Sequence, residues 1–372
     1  MSTTTTDTAS TAATAATATA TAPAAPAGGA AIRDAIAQVA DRHDLSAEQM
    51  AVVVGQIMDG QGTPALIGAL LVALRMKGET VSEIVGAARA MRARMTPVAF
   101  DQEVCLDTCG TGGDGSRSVN ISTLASFIVA GCGVTVAKHG NRAQSSRSGS
   151  HDVIEALGIK PAPTPDEAAR CLREAHLAFM FAPVHHAATR HVAGVRKELA
   201  MRTIFNLLGP LTNPCGARFH VNGIFSRERC EPLARAHGDL GSRRAMVFHG
   251  AGGLDEIAPA GNTFVAELRD GGVRVYEIGP ANFGLEPADP AGLLGGEPGF
   301  NASVIVEALN GRAHVAVQNA ALMAAAAGLY VADAVPDLRA GAGRAAEALR
   351  SGAARAVLEK LRGIVPLPPG TT

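Results

Sequence analysis

The chain has 372 residues, room for two domains and a core of ordinary size. Its formal net charge of −1 and 18% charged residues remove the electrostatic case for nucleic acid or an anionic membrane surface as partner. No apolar run reaches the roughly eighteen residues of a bilayer span, and Cys105, Cys109, Cys132, Cys171, Cys215 and Cys230 lack CxxC or zinc spacing, so they read as reduced thiols in a cytoplasmic protein.

Residues 1–29 are low-complexity Ala/Thr/Pro with Asp7 as their one charge. Such a segment buries too little apolar area to offset its ordering entropy, and it lacks the basic and apolar regions of a signal peptide. It is expected to be disordered and dispensable. Helical patterns fill residues 30–98. Ile32, Ile36 and Val39 repeat at helical spacing, and Ser46 with Gln49 predicts a capping box opening Ala47–Met58. Thr63-Pro64 starts a helix that Gly78 ends, and Thr80 with Glu83 caps a last one that Pro97 stops. A small helical bundle is the expectation.

The chemistry is densest between Asp107 and Ser150. Gly110, Gly112, Gly113 and Gly115 leave backbone amides bare, as in an anion nest. Asn120, Ser122 and Thr123 open the apolar run Leu124–Ala130, so a helix N-terminus should face the same anion. Asp114 suits a metal or a sugar hydroxyl. A second loop brings Lys138, His139, Asn141, Arg142, Ser145, Ser146, Arg147 and Ser150. Neither a Walker A motif nor a dinucleotide GxGxxG fits, and the two loops together read as a site for a polyphosphorylated sugar.

Asp152–Leu157 predicts a helix closed at Gly158, and Ala178–Ala182 a short strand. His185, His186 and His191 follow within seven residues, but no carboxylate lies near, so they are expected to line a cleft or cap helices rather than hold zinc. Val195–Leu199 is helical, and a lone Arg196 there would ordinarily be a solvated residue. Arg202–Asn213 reads as a helix running into a loop that packs two domains together. Arg244–His249 is an apolar strand followed by GAGG and then Asp255-Glu256, which in a doubly wound sheet would face the ligand crevice. Strands are expected at Phe264–Leu268 and Val273–Ile278, a loop-rich stretch at Glu286–Phe300, a long helix through His314–Val331, and the last helices within Ala332–Leu361.

GTGGDG at Gly110–Gly115, NIST at Asn120–Thr123, KHGNR at Lys138–Arg142 and RTIFNLLGPLTNP at Arg202–Pro214 resemble the anthranilate phosphoribosyltransferases, of the nucleoside phosphorylase-like phosphoribosyltransferase family, from about Ile32 to about Leu361. The resemblance implies an α/β fold. A small N-terminal helical domain (30–98, joined by helices from about 192–210) would accompany a larger α/β catalytic domain (99–362) with a central, mostly parallel sheet flanked by helices. It implies transfer of the 5-phosphoribosyl group from phosphoribosyl pyrophosphate (PRPP) to the amine of anthranilate, releasing pyrophosphate, in tryptophan biosynthesis. It also implies a homodimer through the helical domain.

By that resemblance the PRPP contacts would be Gly110, Gly113, Asp114, Ser118, Asn120, Ile121, Ser122 and Thr123 in the first loop. Lys138, His139, Gly140, Asn141, Arg142, Ala143, Gln144, Ser145, Ser146 and Ser150 would supply the rest. Anthranilate would meet Gly110, His139, Asn141 and Arg196, whose planar guanidinium suits an aromatic carboxylate. Ser122, Asp255 and Glu256 would hold Mg²⁺, the cofactor, which prefers one or two carboxylates plus waters and substrate phosphates. An aniline-type amine is already neutral at pH 7, so no strong general base is required, and His139 is the only candidate for one. The pyrimidine nucleoside phosphorylases share the architecture but not KHGNR, and a paralogue using another aromatic amine is the other alternative. Ser118-Val119 departs modestly from the family pattern and keeps the hydroxyl.

Overall fold

The computed structural model of the chain describes residues 1–3, 29–100, 102–142 and 147–368. The disorder expected of the N-terminal tail over residues 4–28, and the PRPP contacts expected of Ala143, Gln144, Ser145 and Ser146, lie outside the described residues.

Among the described residues the first helices are α1 (Ala30–Ala40), α2 (Ala47–Met58), α3 (Pro64–Lys77) and α4 (Val81–Arg92). Both capping boxes form, with Ser46 and Thr80 each accepting from the amide three residues on. Gly86 lets α4 close on α2, since a Cβ there would lie 2.2 Å from the Ala47 carbonyl oxygen. Helix α4 ends at Arg92, short of the expected stop at Pro97. The Arg94 N–H turns back to the Met91 carbonyl at 3.1 Å and the Thr96 N–H goes to the His185 carbonyl at 2.8 Å, so the backbone leaves the helix before proline can end it.

The rest of the chain builds a seven-stranded sheet of order β3-β2-β1-β4-β5-β6-β7. The strands are β1 (Leu106–Asp107), β2 (Val136–Gly140), β3 (Leu177–Phe181), β4 (Phe219–Gly223), β5 (Arg244–His249), β6 (Thr263–Arg269) and β7 (Gly272–Ile278). The first five pair in parallel and the last two antiparallel, which bears out a mostly parallel sheet. The chain winds outward from β1 through β2 to β3, then crosses to β4 on the other side of β1. The order therefore reverses beside β1, the point at which open α/β sheets bind ligands.

Between the strands lie α5 (Ile121–Gly131), α6 (Ser150–Ala156), α7 (Pro165–Ala175), α8 (Ala182–His185), α9 (Arg190–Leu199), α10 (Phe205–Leu208) and α11 (Cys230–Asp239). After β7 come α12 (Pro298–Leu309), α13 (Val315–Val331), α14 (Leu338–Arg350) and α15 (Ala353–Ile364). Helix α12 begins inside the stretch expected to be loop. Its opening Pro298-Gly299 obscures a helix start that proline at the first turn in fact favours. The helix expected over Arg202–Asn213 shrinks to α10 and a 3-10 turn at Gly209–Leu211.

Two apolar cores result. One, around Phe127, Ile128, Val136, Leu177 and the buried alanines of α13, joins one face of the sheet to α5, α7, α13 and α15. The other runs from α1–α4 through Val192, Val195, Ile204, Phe205 and Leu208 to α11 and to Val247 and Ala266 on the opposite face. The bundle and the sheet thus share apolar packing along one wall of the crevice. Among the described residues no helix is long and apolar enough to cross a membrane.

Candidate active site

The first loop leaves β1 at Asp107, which is fully buried. Asp107 Oδ1 accepts from the Cys109 N–H at 3.0 Å and from the His139 N–H at 3.1 Å, so one carboxylate oxygen ties the first loop to the second. Burial pushes this carboxyl up to about 6. Beyond it the loop runs along the end of β4. The Asn222 amide donates to the Cys109 carbonyl at 2.7 Å, the Thr111 N–H donates to the Gly223 carbonyl at 3.0 Å, and the Phe225 N–H donates to Thr111 Oγ1 at 3.2 Å. Glycine is required at 110, where a Cβ would stand 2.9 Å from the Gly223 oxygen. Gly112, Gly113 and Gly115 take positive φ, and Arg202 reaches across to the Gly113 carbonyl while stacking over Phe225.

Helix α5 starts at Ile121 as expected, but Asn120 does not cap it with its side chain. Asn120 instead donates to the Ser148 carbonyl at 3.4 Å and accepts from Asn301 at 3.0 Å, fixing the first loop to the second and to α12. The main-chain link Val119 N–H to Leu293 and the Ser118–Leu294 bridge fasten the same segment to the turn at Pro290–Leu293. Ile121 and Thr123 are fully buried in the first turn of α5, and Ser118 Oγ accepts from Ser116 Oγ at 3.2 Å.

The helix N-terminus meets a carboxylate: the Ser122 N–H donates to Glu256 Oε1 at 3.0 Å. Asp255 is next to it, and its N–H donates to Asp114 Oδ2 at 3.2 Å. The structure therefore gathers Asp114, Asp255, Glu256 and Ser122 from three separate stretches. Burial, then the charges of Asp114 and Glu256, hold the Asp255 carboxyl well above its usual range. Burial pushes Glu256 up to about 7, against the pull of Lys138 and the Ser122 amide. Two glycines make this turn possible. A Cβ on Gly223 would lie 1.6 Å from the Asp255 oxygen, and one on Gly250 would lie 2.3 Å from the Glu256 oxygen.

Lys138 is buried in the middle of β2 and donates to the Thr108 carbonyl at 2.9 Å, to Thr108 Oγ1 at 3.3 Å and to Ser122 Oγ at 3.2 Å. It is the cation facing the acidic group, and burial lowers its pKa. His139 Nδ1 lies 3.1 Å from the Gly209 carbonyl, an acceptor, so Nδ1 carries the proton and Nε2 offers a lone pair. Nε2 is buried with no partner among the described residues, and burial with His186 close by holds the imidazole down to about 3. At neutral pH Nε2 can accept a hydrogen bond but cannot keep a second proton on the ring.

Gly140 sits where a Cβ would strike Ser150 Oγ at 2.4 Å, and Ser150 Oγ donates to the Asn141 carbonyl at 3.3 Å. Arg142 is turned to α6, pairing with Asp152 at 2.9 Å and Glu155 at 2.8 Å. The structure thus brings Arg142 close in backbone but engages its guanidinium elsewhere. His185 meets the Thr96 carbonyl at 2.9 Å and His186 the Thr212 carbonyl at 3.0 Å, so they seam the bundle to the sheet domain. Among the described residues no three His, Cys, Asp or Glu side chains converge as a metal cage. An acidic pair with a serine, all hard oxygen donors, still fits Mg²⁺, which takes its remaining ligands from water and phosphate. Burial raises the Asp255 and Glu256 pKa values by disfavouring the charged forms, a cost that a divalent cation would offset.

Arg196, on α9, is half-buried and packs over Phe205 at 5.7 Å to the ring centre. No carboxylate among the described residues pairs with it, and burial alone lowers its pKa. Arg196 is thus a half-buried guanidinium that could receive an anion. Sequence reasoning passed over Asp107, Asn222, Gly223, Gly250 and Asn301. Their signal is long-range, since each acts on a segment distant in sequence or through a space that only the fold creates.

The chain matches the glycosyl transferase family a/b domain over residues 102–355 and the helical bundle domain of that family over residues 33–95. It is 50% identical over 330 residues to an anthranilate phosphoribosyltransferase of Bradyrhizobium sp. (strain ORS 278), covering 89% of this chain and 97% of the relative. It is 47% identical to the Rubrobacter xylanophilus anthranilate phosphoribosyltransferase, covering 88% and 96%. Among solved structures it is similar to anthranilate phosphoribosyltransferase from Thermus thermophilus, with a TM-score of 0.84 and 42% identity over 89% of this chain and 99% of the other. It is similar also to the Saccharomyces cerevisiae enzyme in complex with PRPP and Mg, with a TM-score of 0.81 and 27% identity over 90% and 98%.

Proposed function

The chain belongs to the anthranilate phosphoribosyltransferase family of glycosyl transferases, and on that premise we propose how its site transfers the 5-phosphoribosyl group of PRPP to the amine of anthranilate with release of pyrophosphate. The observation that carries the assignment is the meeting, at the carboxyl ends of β1, β2, β4 and β5, of two glycine loops, a buried lysine and an acidic cluster.

Leaving-group departure from an anomeric carbon develops positive charge on the sugar and negative charge on pyrophosphate. The Gly110, Gly112 and Gly113 amides of the first loop would be donors for the second of these, whereas the first-turn amides of α5 are engaged within the protein, by Glu256 at Ser122 and by Val119 and Asn120 at Ile121 and Thr123. Ser118, Asn120 and Thr123 would support the same end of the donor, while Lys138 holds Ser122 and balances the carboxylates. Asp255 and Glu256, with Ser122, would hold Mg²⁺, which when bound supplies charge neutralisation to the pyrophosphate. A related yeast structure in complex with PRPP and Mg supports that choice of cofactor.

For the acceptor, Arg196 would pair with the carboxylate, and Phe205 beneath it offers an apolar floor for the ring. His139 Nε2 would accept one amine N–H, orienting the nitrogen lone pair toward the anomeric carbon. Its low pKa favours this orienting role over that of a general base. A yeast relative solved in complex with 4-fluoroanthranilate supports an anthranilate pocket in this fold. Arg142, engaged by Asp152 and Glu155, would act by stiffening the second loop. The chain would work in the cytoplasm, as a homodimer joined through α1–α4.

The test is direct. Purified protein with PRPP and Mg²⁺ should consume anthranilate, followed by its fluorescence, with one pyrophosphate released per anthranilate lost. Phosphorolysis of thymidine or uridine with no loss of anthranilate would move the chain to the nucleoside phosphorylases.

A further inference from the structure

The Cys109 peptide groups are held from behind, by atoms that face no ligand. The Cys109 N–H is taken by Asp107, and the Cys109 carbonyl accepts from Asn222 Nδ2 at 2.7 Å. Asn222 lies fully buried on β4. A carbonyl can only accept, so the asparagine must turn its NH₂ toward Cys109 and its Oδ1 away. That Oδ1 is 2.8 Å from His237 Nε2, which must therefore carry the proton. His237 Nδ1 is then an acceptor, and Ser242 Oγ lies 3.2 Å from it as the donor. Every proton in the chain from Ser242 to Cys109 is fixed by its partners. His237 is itself fully buried on α11 and stacks on His220 with ring centres 4.2 Å apart. Burial, with His220 and Arg92 nearby, keeps the imidazole neutral. Arg92 closes the cluster from the helical bundle, donating to the Leu211 carbonyl at 2.6 Å and the Leu240 carbonyl at 3.0 Å.

A planar trans peptide carries its carbonyl and the following N–H on opposite sides. Holding the Cys109 carbonyl against β4 therefore turns the Gly110 N–H away from β4, at the start of the glycine run. Thr111 is tied to β4 as well, through Gly223 at 3.0 Å and Phe225 at 3.2 Å, but with glycine at 110 the bond to the Cys109 carbonyl is the contact that acts on the Cys109–Gly110 peptide itself.

We propose that Asn222 and His237 are positioning residues for the donor-binding loop: His237 holds the Asn222 amide in one orientation, and Asn222 sets the Cys109–Gly110 peptide so that its N–H is presented to the pyrophosphate end of PRPP. The assignment rests on reading the first loop as the donor cradle. Neither side chain touches substrate, and both act through the Cys109 carbonyl.

The experiment uses the full chain with saturating Mg²⁺ and compares wild type, Asn222→Leu, His237→Phe and His237→Gln. Glutamine can place an amide donor where Nε2 stands, and phenylalanine cannot. The KM for PRPP should rise about tenfold or more in Asn222→Leu and His237→Phe, with the KM for anthranilate within about twofold of wild type. His237→Gln should return most of the loss. Hydrogen exchange should quicken in peptides spanning residues 105–118 in the two disruptive variants and stay unchanged across β5. Equal rises in both KM values, failure of glutamine to rescue, or unchanged exchange in the loop would each overturn the proposal. Should Asn222→Leu not fold, the contrast between His237→Phe and His237→Gln decides. If wild type itself turns over no PRPP, the donor reading fails, while the exchange data still decide whether the pair positions the loop.

Discussion

Gly223 closes β4 where the first loop, the strand end and the Asp255–Glu256 turn come together, and its replacement by alanine is the sharpest single test of the site. A Cβ at this position would stand 1.6 Å from the Asp255 oxygen, 2.5 Å from its carbonyl carbon and 3.1 Å from the Phe248 ring. A saturated carbon and a carbonyl oxygen settle at roughly 3.3 Å, so the Asp255 peptide would have to withdraw by about 1.7 Å. The Thr111 N–H hangs from the Gly223 carbonyl, so the glycine loop would be disturbed by the same shift. Misplacing catalytic groups by about 1 Å costs on the order of a hundredfold in rate. Overpacking of this kind costs about 1–3 kcal/mol in stability, which leaves most of the protein folded. Loss of anthranilate fluorescence, measured across a Mg²⁺ titration, should therefore show turnover down about a hundredfold and half-saturation by Mg²⁺ moved upward. Gly343→Ala is the control, since a Cβ there meets nothing within 4 Å. Turnover of Gly223→Ala within about threefold of wild type, far short of that hundredfold loss, would refute the claim that the close approach of β4 sets the acidic turn.

Arg196→Ala should raise the KM for anthranilate roughly ten- to a hundred-and-fifty-fold with the KM for PRPP nearly unmoved, and Arg196→Lys should recover only part. A rise confined to PRPP would assign Arg196 to the phosphate site. Replacing Asp255 and Glu256 together by Asn and Gln keeps shape and removes charge, so turnover should fall at least about a hundredfold; a double variant with wild-type Mg²⁺ dependence would make these acids bystanders. His220, held at about 3 by burial, binds no proton in the folded state until far below the unfolded value of about 6.5. Its contribution to stability is therefore level above pH 6.5 and worsens as pH falls from there toward 3. His220→Gln should lose about 1.4 kcal/mol less per pH unit than wild type across that window, read from chemical denaturation curves at each pH; parallel slopes would contradict a buried neutral imidazole.

The features legible in the sequence are those whose cause is local. Ser46–Gln49 and Thr80–Glu83 spell capping boxes within four residues, and Gly110–Gly115 spell a bare-amide loop whatever surrounds them. Asp255-Glu256 was found through the strand before it, because strand ends in such a sheet face the crevice. Asn120 stands at the N-cap of α5, as its place before the apolar run suggests, but capping rules are local and its side chain goes instead to Ser148 and Asn301, remote in sequence. Arg142 shows the limit again, since a basic residue in a phosphate-like loop gives no sign that Asp152 and Glu155 will occupy it. The short β1 leaves a pattern of only two residues to read, while the helix break after Leu208 falls at Gly209-Pro210, a local signal that the sequence did carry.

Asp107 has a consequence for how ligands load. One carboxylate oxygen receives an amide from each of the two loops, 3.0 Å from Cys109 and 3.1 Å from His139, at a buried point where neither bond can be replaced by water. Whatever moves one loop is therefore expected to be felt by the other, so that a ligand held by one should alter the affinity for a ligand held by the other. Thermodynamic linkage makes this reciprocal: if PRPP tightens anthranilate by some factor, anthranilate tightens PRPP by the same factor. That coupling would then be a property of the carboxylate that joins the loops, and would survive any change in the ligands that leaves it in place.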